Sequence, residues 1–135
     1  MRHLPGKRLS LLVLAAAALA GGCAAPPPAA PPTGLAEVME RPAERALLDG
    51  IRAYDDGQYA QAEKALRQAL AGGLQSSRDR ATAHKLLAFI TCTSDRVADC
   101  QAQFREARAA DAGFVLSRSE AGHPVWGPVY KNLPP

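Results

Sequence analysis

An all-α fold follows from three features of the 135-residue chain. Hydrophobic residues make up 47% of it and aromatic ones only 5%, so alanine carries much of the packing, and the side chains that favour strands are sparse. From Glu37 onward, apolar and charged residues alternate at helical spacing. Glycines and serines then divide that region into segments of helical length. The expected domain spans residues 37–131, with about four helices in two hairpins and a C-terminal capping segment. Residues 1–22 read as a signal peptide and residues 23–36 as a Pro/Ala-rich tether.

The amino end begins "MRHLPGKR" and continues with an apolar stretch from Leu9 to Ala20, "LSLLVLAAAALA", before Gly21, Gly22 and Cys23. This is the pattern of an export signal. The apolar stretch would span about 18 Å as a helix, short of the roughly 30 Å of a bilayer core. Small residues directly before Cys23 resemble a bacterial lipobox, although Ala20 stands where leucine is usual. That resemblance implies cleavage before Cys23 and lipidation of its thiol, with plain secretion as the alternative. Ala24, in the second mature position, is similar to lipoproteins sorted to the outer membrane.

Cleavage would remove Arg2, Lys7 and Arg8 and take the formal charge from +3 to zero. A neutral domain with interspersed signs offers no basic field for nucleic acid. Attachment to a membrane would then come through the lipid anchor alone. Next comes "AAPPPAAPPTG", whose prolines between Pro26 and Pro32 favour extended polyproline II, so ten residues could reach roughly 30 Å.

Pro42 suits the first turn of a helix over Ala43 to Asp56, with Leu47, Leu48, Ile51 and Tyr54 on one face. Gly57 ends it. The next stretch, "QYAQAEKALRQALAGG", carries Tyr59, Ala62, Leu66, Ala69 and Leu70 inward before Gly72 and Gly73 stop it. Ser76 and Ser77 are caps for a third helix in "RATAHKLLAFITC", and Ser94 or Asp95 for a fourth in "RVADCQAQFREARAAD", with Phe104 and Ala107 inward. The two hairpins share a pattern. Gly50, Tyr59, Ala62, Leu66 and Ala69 in the first correspond to Ala88, Val97, Cys100, Phe104 and Ala107 in the second, an offset of 38 residues. This spacing resembles the tetratricopeptide repeat, with the longer period absorbed by "GGLQSSRD".

Two such units need capping. The segment "FVLSRSEAGHPVWGPVY" is apolar enough to serve through Phe114, Val115, Leu116, Val125, Trp126, Val129 and Tyr130. Gly122, Pro124, Gly127 and Pro128 exclude a long helix, so a short helix near Ser117 to Ala121 and an extended tail are expected.

Chemical motifs are few. His84 and His123 lie in separate settings without metal-ligand spacing, and no nucleophile elbow, phosphate loop or zinc-protease motif is present. The sequence therefore assigns no catalytic residue, metal ligand or cofactor. Cys92 and Cys100 are a disulfide, two buried packing thiols or a redox pair, the last without the usual Cys-x-x-Cys spacing. A bridge over so short a loop would contribute roughly 2.5 kcal/mol. The repeat alignment sets Ala88 against Cys100, with Cys92 one turn nearer the tip. On that register, bringing the alpha carbons within about 7 Å requires the third helix to end early or the fourth to start late.

The blocks "HKLLAFI", "FREARAADAGF" and "AGHPVWGPVY", with the Cys92 and Cys100 spacing, resemble the tetratricopeptide lipoproteins associated with type VI secretion, the TssQ-type group. The likeness runs from about Leu47 to Tyr130. It implies an accessory lipoprotein of the outer membrane, its domain facing the periplasm and docking a protein partner, secretion-apparatus components among the candidates. Ligand-facing residues would come from the first helix of each hairpin, with Arg52 and Lys85 as candidates. The competing expectations are a general envelope-biogenesis scaffold and a thiol oxidoreductase.

Overall fold

The computed structural model describes residue 34 and residues 41–134; Cys23, the signal and the rest of the tether lie outside the described residues. These contain six α-helices and no strand: α1 Pro42–Asp55, α2 Tyr59–Ala71, α3 Ser77–Thr93, α4 Val97–Ala110, α5 Arg118–Ala121 and α6 Trp126–Lys131. α1 pairs with α2 and α3 with α4 as two hairpins; α3 rests on both α1 and α2, and α6 packs against α3, α4 and α5. The fold is all-α.

Local chemistry explains most boundaries. Pro42 opens α1, where its missing N–H removes no helical bond, and Glu44 in the same turn complements the helix dipole. Ser76 starts α3 by accepting a hydrogen bond from the Asp79 amide at 3.2 Å. Ser117 and Glu120 form a full capping box at α5.

The hairpin tips are alike to a degree that composition does not suggest. At the first, Gly57 has φ 73°, its amide reaches the Tyr54 carbonyl at 3.0 Å, and the Gln58 amide reaches Ala53 at 2.8 Å. At the second, Asp95 has φ 58°, its amide reaches Cys92 at 3.3 Å, and Arg96 reaches Thr91 at 2.9 Å. Both are Schellman endings that use a left-handed residue to satisfy orphan carbonyls. The following helix then starts from the same backbone geometry, φ −87° and ψ 63° at Gln58 and φ −88° and ψ 63° at Arg96.

Part of the core is built from positions shared by the hairpins. Ala62, Leu66 and Ala69 are fully buried, as are Leu87, Ala88, Cys100, Phe104 and Ala107. Gly50 sets the approach of α1 to α2: a methyl group there would lie 2.8 Å from Leu66 Cγ and 3.2 Å from the Leu66 nitrogen.

Several expectations are corrected. Leu48 is 36% exposed, because the buried stripe of α1 follows Ala43, Ala46, Leu47 and Gly50, and Leu48 falls one position past it. Tyr59 is also exposed; it opens α2 at the tip and meets Tyr54 edge-on. Ser94 and Asp95 do not cap α4. Asp95 closes the turn instead, and Arg96 precedes the helix without a side-chain cap. The tail is helical rather than extended, since Gly127 and Pro128 occupy the first turn of α6, where proline is tolerated. Gly127 also permits close passage beside Ala121, whose carbonyl oxygen would be 2.5 Å from an added methyl. Val115 and Val125 remain exposed, while Leu116 and Leu133 are buried.

Candidate docking surface

The first helices of the two hairpins, α1 and α3, carry the expected ligand-facing residues, and the structure separates them. Arg52 is exposed and loosely paired with Asp49 at 3.6 Å. It lines a polar cleft of about 400 Å³ between α1 and α2 with Gln61, Lys64 and Gln68. Lys85 faces the C-terminal cap. Its Nζ donates to Glu120 Oε1 at 2.7 Å and stands 5.8 Å from the centre of the Phe89 ring one turn along α3.

Phe89 in turn stacks on Trp126, with centroids 4.2 Å apart and planes 19° from parallel. Trp126 also stacks on His123 at 3.3 Å, and its indole N–H donates to the Glu120 carbonyl at 2.9 Å. Tyr54 extends the row, meeting Phe89 at 6.5 Å and Tyr59 at 5.6 Å. Four helices thus contribute to one aromatic band, a length of contact that sequence reading missed. The visible signals were the Lys85 and Phe89 pair one turn apart and the Ser117/Glu120 capping box.

Electrostatics follow from these contacts. Burial pushes the Glu120 carboxyl up, but hydrogen bonds from Lys85 and Ser117 outweigh it and leave the group below its ordinary value. Tyr54 is raised, first by burial and then by the neighbouring Tyr59, Asp55 and Glu120.

A second polar centre ties the hairpins together. Arg96 donates to both oxygens of Glu63, at 2.9 and 2.6 Å, and Arg67 adds bonds of 3.2 and 2.7 Å. Hydrogen bonding by Arg96 is the largest influence on Glu63; burial opposes it, Arg67 reinforces it, and the carboxyl falls to about 2. Nothing in the linear spacing of residues 63 and 96 announces this clamp.

Cys92 and Cys100 form a disulfide, with alpha carbons 5.1 Å apart. The strained pairing expected from the alignment is not found. α3 runs past Cys92 to Thr93, and the facing register is one turn different from that assumed. Gly50 meets Leu66, not Ala62, so the equivalent Ala88 belongs opposite Phe104 and Cys92 opposite Cys100. Both cysteines are buried, which removes the access that thiol–disulfide exchange requires.

The histidines serve packing. His84 Nδ1 bonds Gln103 Oε1 at 2.8 Å, joining α3 to α4, and His123 accepts from the Val125 amide at 3.2 Å. Among the described residues, no group of three or more His, Cys, Asp or Glu is placed to hold a metal ion, and no helix is long and apolar enough to cross a membrane. Compared with family models, with curated proteins and with solved structures, the chain matches none of them.

Proposed function

We propose that the chain is an outer-membrane lipoprotein whose periplasmic domain is a tetratricopeptide-like adaptor, an accessory part of a type VI secretion apparatus. Lipid on Cys23 supplies the anchor, the proline tether supplies reach, and the helical hairpins supply a docking surface. The observation that carries this reading is the repeated hairpin, in which equivalent residues take equivalent buried places and both tips use one backbone turn. Repeats of this kind act by presenting a surface. Export and lipidation rest on the amino-terminal pattern, and the secretion assignment on the likeness of "HKLLAFI" and "AGHPVWGPVY".

The test is crosslinking in intact envelopes followed by recovery of a tagged copy. Enrichment of secretion-apparatus proteins is the expected result. Recovery of cell-wall or outer-membrane assembly proteins, with secretion unimpaired by loss of the protein, would move the assignment to a general envelope scaffold. For the anchor, Cys23→Ser is expected to release the protein from the outer-membrane fraction.

A further inference from the structure

We infer that the C-terminal cap is an intramolecular stand-in for the partner, occupying a site on α3 that selects a carboxylate and an aromatic ring on one segment. The inference rests on the adaptor reading and specifies the ligand chemistry of its surface.

Lys85 and Phe89 lie one turn apart on the first helix of the second hairpin, so their side chains share a face. Each is engaged by the cap, and each through a different chemistry. Lys85 holds the Glu120 carboxylate at 2.7 Å, and Phe89 receives the flat face of Trp126 at 4.2 Å. The indole N–H is satisfied inside the cap by the Glu120 carbonyl, so the cap presents its carboxylate and its ring as one preformed unit. The capping box fixes the Glu120 end of that unit.

The contact is also of a kind that can exchange. Leu116 and Leu133 seat the two ends of the cap in the core, but between them α5 has no buried residue and α6 only Gly127. Lys85 and Glu120 keep 24% and 26% of their side-chain surface open to water, enough for a competing carboxylate to reach the ammonium group. A partner segment carrying Asp or Glu beside Trp, Phe or Tyr would reproduce both contacts and displace Glu120 and Trp126 from α3, with Leu116 and Leu133 still seated in the core. An acidic segment without an aromatic residue would satisfy only Lys85.

Trp126 is the chain's one tryptophan, so its emission reports the cap alone. The experiment uses the purified full chain and a fluorophore-labelled synthetic peptide of residues 116–131 as the probe. Glu120→Lys places two ammonium groups together and is expected to at least double acrylamide quenching of Trp126 while far-UV helicity is retained. The peptide is then expected to bind this variant at least tenfold more tightly than the wild type. Adding Lys85→Gln, or using a peptide with Gln at 120 and Ala at 126, is expected to remove that gain.

Unchanged quenching in Glu120→Lys, equal peptide binding by variant and wild type, or loss of global helicity on opening would each overturn the inference, since the cap would then be a fixed part of the core. The assay contains no envelope protein, so it can fail while crosslinking succeeds, and the reverse.

Discussion

The two hairpins differ in what was added to a shared plan. Both end their first helix with a left-handed residue, both start the second from the same backbone angles, and both bury small residues at matched positions. In the first, the left-handed place belongs to Gly57, and the 38-residue offset assigns Tyr54 and Ala62 to the places that the two cysteines take in the second. In the second it belongs to Asp95, and the equivalent pair is the disulfide of Cys92 and Cys100. The first hairpin keeps an outer polar cleft, whereas α6 covers the second. A repeat therefore specifies backbone geometry, while side chains at equivalent places decide whether a tip is stapled by sulfur or left to aromatic contact.

The largest effect should come from the shared core. Phe104→Ala is expected to destabilise by about 4 kcal/mol and its counterpart Leu66→Ala by about 3 kcal/mol, read from denaturant unfolding. Two equal values would weaken the view that Phe104, which also meets Phe89 and Tyr130 at 6.1 and 5.2 Å, is the busier of the two.

Removing the staple with Cys92→Ser and Cys100→Ser should lower stability by about 2.5 kcal/mol and leave the helical spectrum intact. The comparison sharpens if Tyr54→Cys with Ala62→Cys oxidises to a second bridge, which thiol titration would detect. Failure to bridge would show that the 38-residue offset does not hold at the level of alpha-carbon distance.

Gly50 and Ala88 form another equivalent pair with opposite requirements. Gly50→Ala should cost about 1 to 2 kcal/mol, even though alanine is the better helix former, because the new methyl meets Leu66. A gain in melting temperature would show that α1 and α2 can part at no expense.

The clamp between hairpins predicts a pH dependence. The Glu63 carboxyl titrates at about 2 in the folded chain against an ordinary 4.5, so its contribution is complete above pH 4.5 and is lost as pH falls toward 2. Glu63→Gln should lower neutral stability by about 1 kcal/mol and flatten that acid limb, as followed by thermal melts from pH 7 to 2.

The smallest effects sit at the tips. Gly57→Ala forces an alanine to φ 73° and should destabilise by about 1 kcal/mol, while Asp95→Gly relieves the same conformation and should stabilise by about 0.5 kcal/mol.

Features governed by neighbours in the chain were legible. Pro42, Gly57, Gly72, Gly73 and Ser76 marked helix ends, and Ala62, Leu66, Cys100 and Phe104 marked the core, because capping and helical periodicity act within a few residues. Leu48 was misplaced because a two-leucine run leaves the exact centre of an apolar stripe open. The α6 helix was hidden by Gly127 and Pro128, which discourage helix in the interior but suit a first turn. Arg52 and Lys85 were expected on the first helices of the hairpins, but the pairing of Lys85 with Glu120 was not.

By itself the sequence determined the all-α class, the two hairpins, their offset and such buried slots as Ala62, Leu66, Cys100 and Phe104. Each of these follows from backbone preference and from which face of a helix is apolar. Only the tertiary structure decided that Gly50 faces Leu66, that Cys92 consequently meets Cys100, that Arg96 grips Glu63, and that Glu120 and Trp126 cover Lys85 and Phe89. Those contacts join residues that no local rule relates. Their pairing depends on how far one helix slides along another, and a shift of a single turn redistributes every partner.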